Sequence, residues 1–191
     1  MLEQLIEVCE EHGFPNWHAL AIAQKGWVTA RSGDLEAGEE LLVKGLALWR
    51  GTGSRLVIPY YLGLIAEVLA LQSRWQEAED HVLQGLETIA ETGDQVYAPG
   101  LLRLWGQMSP DTMDRTGEPH ASRLRRAIEL AREQDARLEE LRASTCLARI
   151  LAERGERRQA VNLLAPIYGW FTEGLDTADL KAAKALLDEL G

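Results

Sequence analysis

Four histidines, two cysteines and several paired carboxylates are the side chains of this 191-residue chain that could carry chemistry. His12, His18, His81 and His120 stand apart, and none has a second His or Cys at ligand spacing. Glu77 and His81 are four residues apart on a helical stretch, which places them on one face. A metal needs more than such a pair, so the histidines read as surface polar groups. Glu39-Glu40 and Glu139-Glu140 are adjacent, and adjacent helical positions point to different sides. They read as solvated faces and not as an acid–base couple. Gly51-x-Gly53 lacks the strand, the Lys and the Ser/Thr of a phosphate loop, and no Gly-x-Ser-x-Gly elbow occurs. Cys9 and Cys146 each lie on an apolar helical stripe and read as buried free thiols of a reducing cytosol. The residues therefore assign no catalytic, cofactor or metal site. The chain reads as non-enzymatic, with any catalytic domain expected elsewhere in a longer polypeptide.

The elements that carry these residues are helices. Ala, Leu, Glu, Arg and Gln dominate, all good helix formers, and the chain has only 6 prolines. A hydrophobic share of 46% against 26% charged residues is enough for burial to offset chain entropy. The net charge of −10 disfavours nucleic acid and anionic membranes as partners. That charge is uneven. Residues 1–100 carry 15 acidic and 6 basic side chains, or −9, and residues 101–191 carry 15 and 14, or −1. Arg115–Arg158 holds 11 Arg against 8 acids, or +3. This stretch reads as a helical surface laced with i,i+4 pairs, with a local anion-binding face as the alternative. No apolar run approaches the ~20 residues of a membrane helix. Met1-Leu2-Glu3-Gln4-Leu5-Ile6-Glu7 has no basic region of the kind that opens a signal peptide. These features point to a cytoplasmic chain. The start already reads as helix, which suggests a segment of a longer chain.

Four ladders of residues share one frame. Gly26, Ala66, Gly106 and Ala148 recur at steps of 40, 40 and 42. Gly38, Ala78, His120 and Ala160 do the same at 40, 42 and 40, as do Leu42, Val82, Leu124 and Leu164. Gly45, Gly85, Ala127 and Ile167 complete the set. Each repeat reads as helix, short turn, helix, with apolar residues at i, i+3, i+4 and i+7 on both halves. Gly33-Asp34, Ser73-Arg74 and Gly155-Glu156 mark the turns, and Ser109–Gly117 is a swollen turn that absorbs two extra residues. Gly26, Gly38, Gly45, Gly63, Gly85 and Gly106 each accept a cost of ~1 kcal/mol relative to Ala inside a helix. Close helix crossings are the reason to keep them. Pro166 inside a helical run is expected to kink it. Thr177 is a good N-cap for a last helix.

Leu62-x2-Ile65-Ala66-x2-Leu69 followed by Ala78-x3-Val82-x2-Gly85 resembles the two-helix signature of the tetratricopeptide repeat. Leu147-Ala148-x2-Leu151 followed by Ala160-x3-Leu164 repeats it. The match covers about Trp17 to Phe171. The period is longer than the family's, the signature aromatics are mostly aliphatic here, and His120 stands where Ala is usual. HEAT-type repeats are the alternative fold. The resemblance implies an all-α, right-handed superhelical array of antiparallel helix pairs, about ten helices in one domain over residues 1–191. The expected parts are an orphan helix at 1–13, units at 16–53, 55–93, 95–135 and 138–172, and a capping helix at 177–190.

Longer strings, Leu42–Gly53, Arg125–Arg132 and above all Tyr168–Leu180, resemble the C-terminal helical repeats of large bacterial signalling proteins. Those proteins place a class III nucleotide cyclase or a kinase first, then an AAA-type ATPase. The resemblance implies a protein–protein interaction, scaffolding and regulatory module. In tetratricopeptide arrays the first helices line a concave groove. The ladder maps Trp27, Arg31, Tyr60, Gly63, Glu67, Arg103, Gln107, Arg142 and Arg149 onto it. Arg there can grip a carboxylate bidentately, and Trp or Tyr adds apolar contact. The expected occupant is a peptide or a neighbouring domain, within the chain or from another, and a homo-oligomer is also admitted. A sensor arm for a small effector and an enzyme with an inter-helix pocket are the alternatives.

Overall fold

The computed structural model describes residues 1–108 and 120–191, so the swollen turn at Ser109–Gly117 lies outside the described residues. The described residues form ten helices and no strand. They are α1 (Leu2–His12), α2 (Pro15–Arg31), α3 (Leu35–Gly51), α4 (Ile58–Leu71), α5 (Trp75–Thr92), α6 (Ala98–Gln107), α7 (His120–Glu133), α8 (Arg137–Glu153), α9 (Arg157–Tyr168) and α10 (Ala178–Leu190). They gather into two compact units, Met1–Tyr97 and Ala98–Gly191.

In the first unit each helix packs on the next, and α2 also meets α4. In the second unit the same holds, and α6 meets α8 while α8 meets α10. The two- to three-residue links α1–α2, α2–α3, α4–α5, α7–α8 and α8–α9 send the chain straight back along the helix it has left. Stacking of alternate helices follows from repeating that step, so each unit is a run of helix pairs.

The links show how the sequence sets the pairs. Gly33, Ser73 and Gly155 sit at equivalent turns with φ of 109°, 61° and 81°. Glycine enters this region freely, whereas serine pays for its Cβ. The Asp34 side chain then caps α3 by accepting from the Ala37 amide at 3.1 Å. Ser73→Gly is therefore expected to raise the stability of the first unit by about 1 kcal/mol. Urea unfolding of the two chains reads the difference directly.

The small-residue ladder marks close crossings. A Cβ added at Gly26 would lie 2.8 Å from the Gly38 carbonyl oxygen and 2.8 Å from the Leu42 nitrogen. At Gly45 it would meet the Ala23 Cβ at 2.9 Å, and at Gly106 the Leu124 Cγ at 2.6 Å. In the second unit Leu124, Leu141, Ala148, Leu164 and Ala183 join one buried core that runs from α7 to α10.

Two local features add detail to the expectations at Thr177 and Pro166. Thr177 does occupy the N-cap of α10, but its side chain makes no capping hydrogen bond. α9 contains Pro166 and continues two residues past it to Tyr168. Proline forfeits one backbone hydrogen bond there without stopping the helix at once.

Candidate functional site

The first-helix faces are best taken unit by unit. In the first unit the face is built by α2 and α4. Gln24 Nε2 donates to the Tyr60 hydroxyl at 2.7 Å and so ties the two helices together. The Tyr60 ring lies 5.6 Å from the Tyr97 ring and 6.2 Å, edge-on, from Tyr61. Trp27 and Arg31 are one turn apart on α2, and the guanidinium sits 5.8 Å from the indole centroid. Trp27, Tyr60 and Glu67 are half-buried, Gly63 is buried, and Arg31 is exposed. Neither Arg31 nor Glu67 has an ion-pair partner among the described residues. This face therefore keeps a cation and an anion without ion-pair partners among the described residues, beside the half-buried rings of Trp27 and Tyr60.

The second unit treats its arginines differently. Arg142 on α8 donates to Asp179 Oδ2 on α10 through Nε at 3.1 Å and Nη2 at 2.9 Å. Its Nη1 donates to Glu139 at 2.8 Å. The other oxygen of Glu139 lies 3.7 Å from Arg103 Nε on α6. Arg103 also donates to Gln107 at 2.6 Å, and Gln107 donates to the Cys146 sulfur at 2.8 Å. Charges thus alternate across α6, α8 and α10, with Arg142 hydrogen-bonded to both of its acids, while Arg103 Nε and Glu139 Oε2 make no hydrogen bond to each other. Arg149, exposed on α8, makes no ion pair among the described residues.

Sequence reasoning grouped Arg103, Arg142 and Arg149 as free carboxylate grips. The structure brings Arg103 and Arg142 together, but around the chain's own carboxylates. Arg142→Ala is expected to loosen α10 and to cost about 1–2 kcal/mol, since the group is half-exposed and its bonds are partly screened. Hydrogen exchange of the α10 amides is the measurement, and exchange unchanged in α10 contradicts the expectation.

The paired carboxylates also differ from their solvated reading. Glu140 is 4% exposed and accepts from Arg132 at 2.6 Å and Arg137 at 3.0 Å. Glu39 accepts from Arg74 at 2.6 Å and from Gln72 at 3.0 Å, so it joins α3 to the link between α4 and α5. Only i,i+3 partners such as Glu139–Arg142 could be found by spacing. The inter-helix partners depend on which faces meet. Glu77 is drawn to Arg74, and its carboxyl is held below the usual range by that hydrogen bond, so it offers little to His81. His81 instead engages the Glu77 backbone oxygen at 2.8 Å. His120, read as a surface group, is half-buried at the start of α7.

Sequence reasoning also counted Arg123 among the surface charges. It is 2% exposed, and its guanidinium lies 3.6 Å from the Trp105 ring centroid. Cys9 is buried and Cys146 half-buried, both as free thiols. Burial pushes the Cys146 thiol's pKa up. In a Cys9→Ala chain, alkylation of Cys146 at pH 8 is expected to run roughly tenfold slower than that of glutathione, because little thiolate is present. A rate equal to glutathione's would contradict this.

Among the described residues no group of three or more His, Cys, Asp and Glu is arranged to hold a metal ion. No helix among them is long and apolar enough to cross a membrane. No protein-family model matches this chain, and no curated protein matches it either. The functional reading therefore rests on the faces just described.

Proposed function

We propose that this chain is a protein–protein interaction and scaffolding module. It resembles tetratricopeptide arrays of bacterial cyclase or kinase signalling proteins, and it holds an extended peptide or a neighbouring domain on its first-helix face. The α2–α4 face carries this reading, because Trp27, Arg31, Tyr60 and Glu67 stand there with charges left unpaired. A peptide laid across α2 and α4 meets Arg31 with a carboxylate and Trp27 and Tyr60 with apolar side chains. Glu67 favours a basic residue beside it. On the second unit's own first-helix face, Arg103 and Arg142 are already engaged. Catalysis, on this reading, belongs to domains other than the helical array.

The test is a selection of displayed 15-residue peptides against the chain, followed by affinity measurement on variants. Enriched peptides should carry acidic and aromatic or aliphatic residues. Their affinity should fall at least about tenfold, or 1.4 kcal/mol, for Arg31→Ala and for Tyr60→Ala. Arg142→Ala should leave it unchanged. Peptides that bind all three variants equally would sink the α2–α4 assignment. A full reading frame without an upstream cyclase, kinase or ATPase domain would sink the signalling context.

A further inference from the structure

In the second unit the first helices stack while the second helices part. α6 meets α8 and α8 meets α10, whereas α7 and α9 do not meet among the described residues. α8 packs on both, so its outer side floors a groove walled by α7 and α9. The repeat frame supplies a reason for the opening. In the first unit Arg50 of α3 donates to the Gln84 side chain of α5 at 3.3 Å, which ties two second helices together. The same positions two repeats on, 82 residues later, are Arg132 of α7 and Pro166 of α9. Proline has no side-chain acceptor, so that tie has no counterpart. Arg132 turns instead to Glu140 of α8, to which its Nε donates at 2.6 Å.

The groove holds about 350 Å³. That is the lower end of small-molecule sites, and the volume of about a dozen waters. A partner helix, ~10–12 Å across with its side chains, is too wide to sink into it. Leu147 and Leu151 of α8 form an apolar floor, with Ile128 of α7 and Leu163 of α9 beside them. Arg125 lines the α7 side. It is exposed and has no ion pair or hydrogen bond among the described residues. The acid of that wall, Glu129, is paired with Arg126 at 3.2 Å. One unspent cation beside an apolar floor selects a single carboxylate on an aliphatic body. A dianion would need a second free cation, and a cationic amphiphile would be repelled by Arg125.

We propose that the α7–α9 groove is a binding site for a medium-chain aliphatic monocarboxylate. The head pairs with Arg125, and the chain lies on Leu147, Leu151 and Leu163. Arg offers a carboxylate two parallel N–H bonds, and each methylene fully removed from water tightens binding about fourfold. A bound chain touches both walls and so replaces the missing tie between α7 and α9. The ligand therefore stabilises the second unit by mass action. The groove shares no residue with the α2–α4 face, and the proposal does not depend on what that face binds.

Isothermal titration calorimetry of the full chain with sodium decanoate tests it. One saturable site per chain is expected. Octanoate, two methylenes shorter, should bind at least about fourfold more weakly. Decanol and decyltrimethylammonium, which lack the carboxylate, should bind at least about tenfold more weakly. Arg125→Glu, at an exposed position, should weaken decanoate by about tenfold or more, while Arg31→Ala on α2 should leave it unchanged. Leu163→Gln should weaken it as well, with circular dichroism confirming the fold. If Leu163→Gln disturbs α9, the Arg125→Glu and chain-length comparisons decide alone. Hydrogen exchange of the α9 amides should slow when decanoate is added. No saturable binding, several equivalent decanoates per chain, decyltrimethylammonium bound as tightly as decanoate, or an affinity unmoved by Arg125→Glu would each overturn the proposal.

Discussion

Gly38→Val is expected to cost about 3–5 kcal/mol and to unfold the first helix pair under mild denaturant. A Cβ at Gly38 would lie 2.6 Å from the Ala30 Cβ, 2.7 Å from the Ala30 nitrogen and 2.8 Å from the Gly26 carbonyl oxygen. Two of those three atoms are backbone, so the clash cannot be relieved by turning a side chain. Helix α3 must move off α2, and the same contact supports Gly26 from the other side. Even Gly38→Ala should destabilise, by about 1–3 kcal/mol, although alanine is the better helix former by ~1 kcal/mol. Gly51 is the control. It also lies in α3, but nothing stands within 4 Å of its would-be Cβ. Gly51→Ala should therefore raise stability by about 0.5 kcal/mol. Urea unfolding of the three variants measures both signs. A stabilised Gly38→Ala chain would show that the close crossing does not govern the packing of α2 on α3.

The close crossing is also where the sequence was most legible. Glycine inside a helix is a local cost, so its recurrence at Gly26, Gly38 and Gly45 points to a non-local cause, and the 40-residue step says where the cause repeats. The expected count of about ten helices agrees with the ten among the described residues, because each one buries a stripe against its neighbours. The site was less legible for a physical reason. A spacing rule sees partners three or four residues away, as for Glu139 and Arg142. It does not see Asp179 or Glu39, whose partners arrive from another helix or from a distant link. Arg123 illustrates the limit further. Its sequence neighbours Arg125 and Arg126 are exposed, yet its own guanidinium is buried over Trp105 because its position faces α6. The free thiol at Cys9 and the turns at Gly33 and Gly155 were readable, since each depends on the residue's own chemistry and immediate backbone.

Tyr61 separates packing from polarity in the same unit. It is fully buried on α4, its ring lies 5.9 Å from Trp49, and its hydroxyl has no hydrogen-bond partner. Tyr61→Ala removes the ring and leaves a cavity between α3 and α4, at an expected cost of about 3–5 kcal/mol. Tyr61→Phe keeps the ring and deletes only the unpaired hydroxyl. Burying that hydroxyl without a partner is unfavourable, so Tyr61→Phe should gain about 1 kcal/mol. The titration of the phenol gives a second reading of the same fact. Burial first, and the neighbouring Tyr60 second, push the Tyr61 pKa far above its ordinary value of 10.0. The folded state therefore keeps its proton where the unfolded state loses it. Stability is fully present below pH 10 and falls as the pH rises beyond it, because deprotonation favours the unfolded chain. In Tyr61→Phe that source of alkaline loss is gone, so its melting temperature should drop less between pH 9 and pH 11. Equal drops in the two chains would mean that the hydroxyl finds a partner in solution. Tyr61→Phe would then be neutral or destabilising at pH 7 as well.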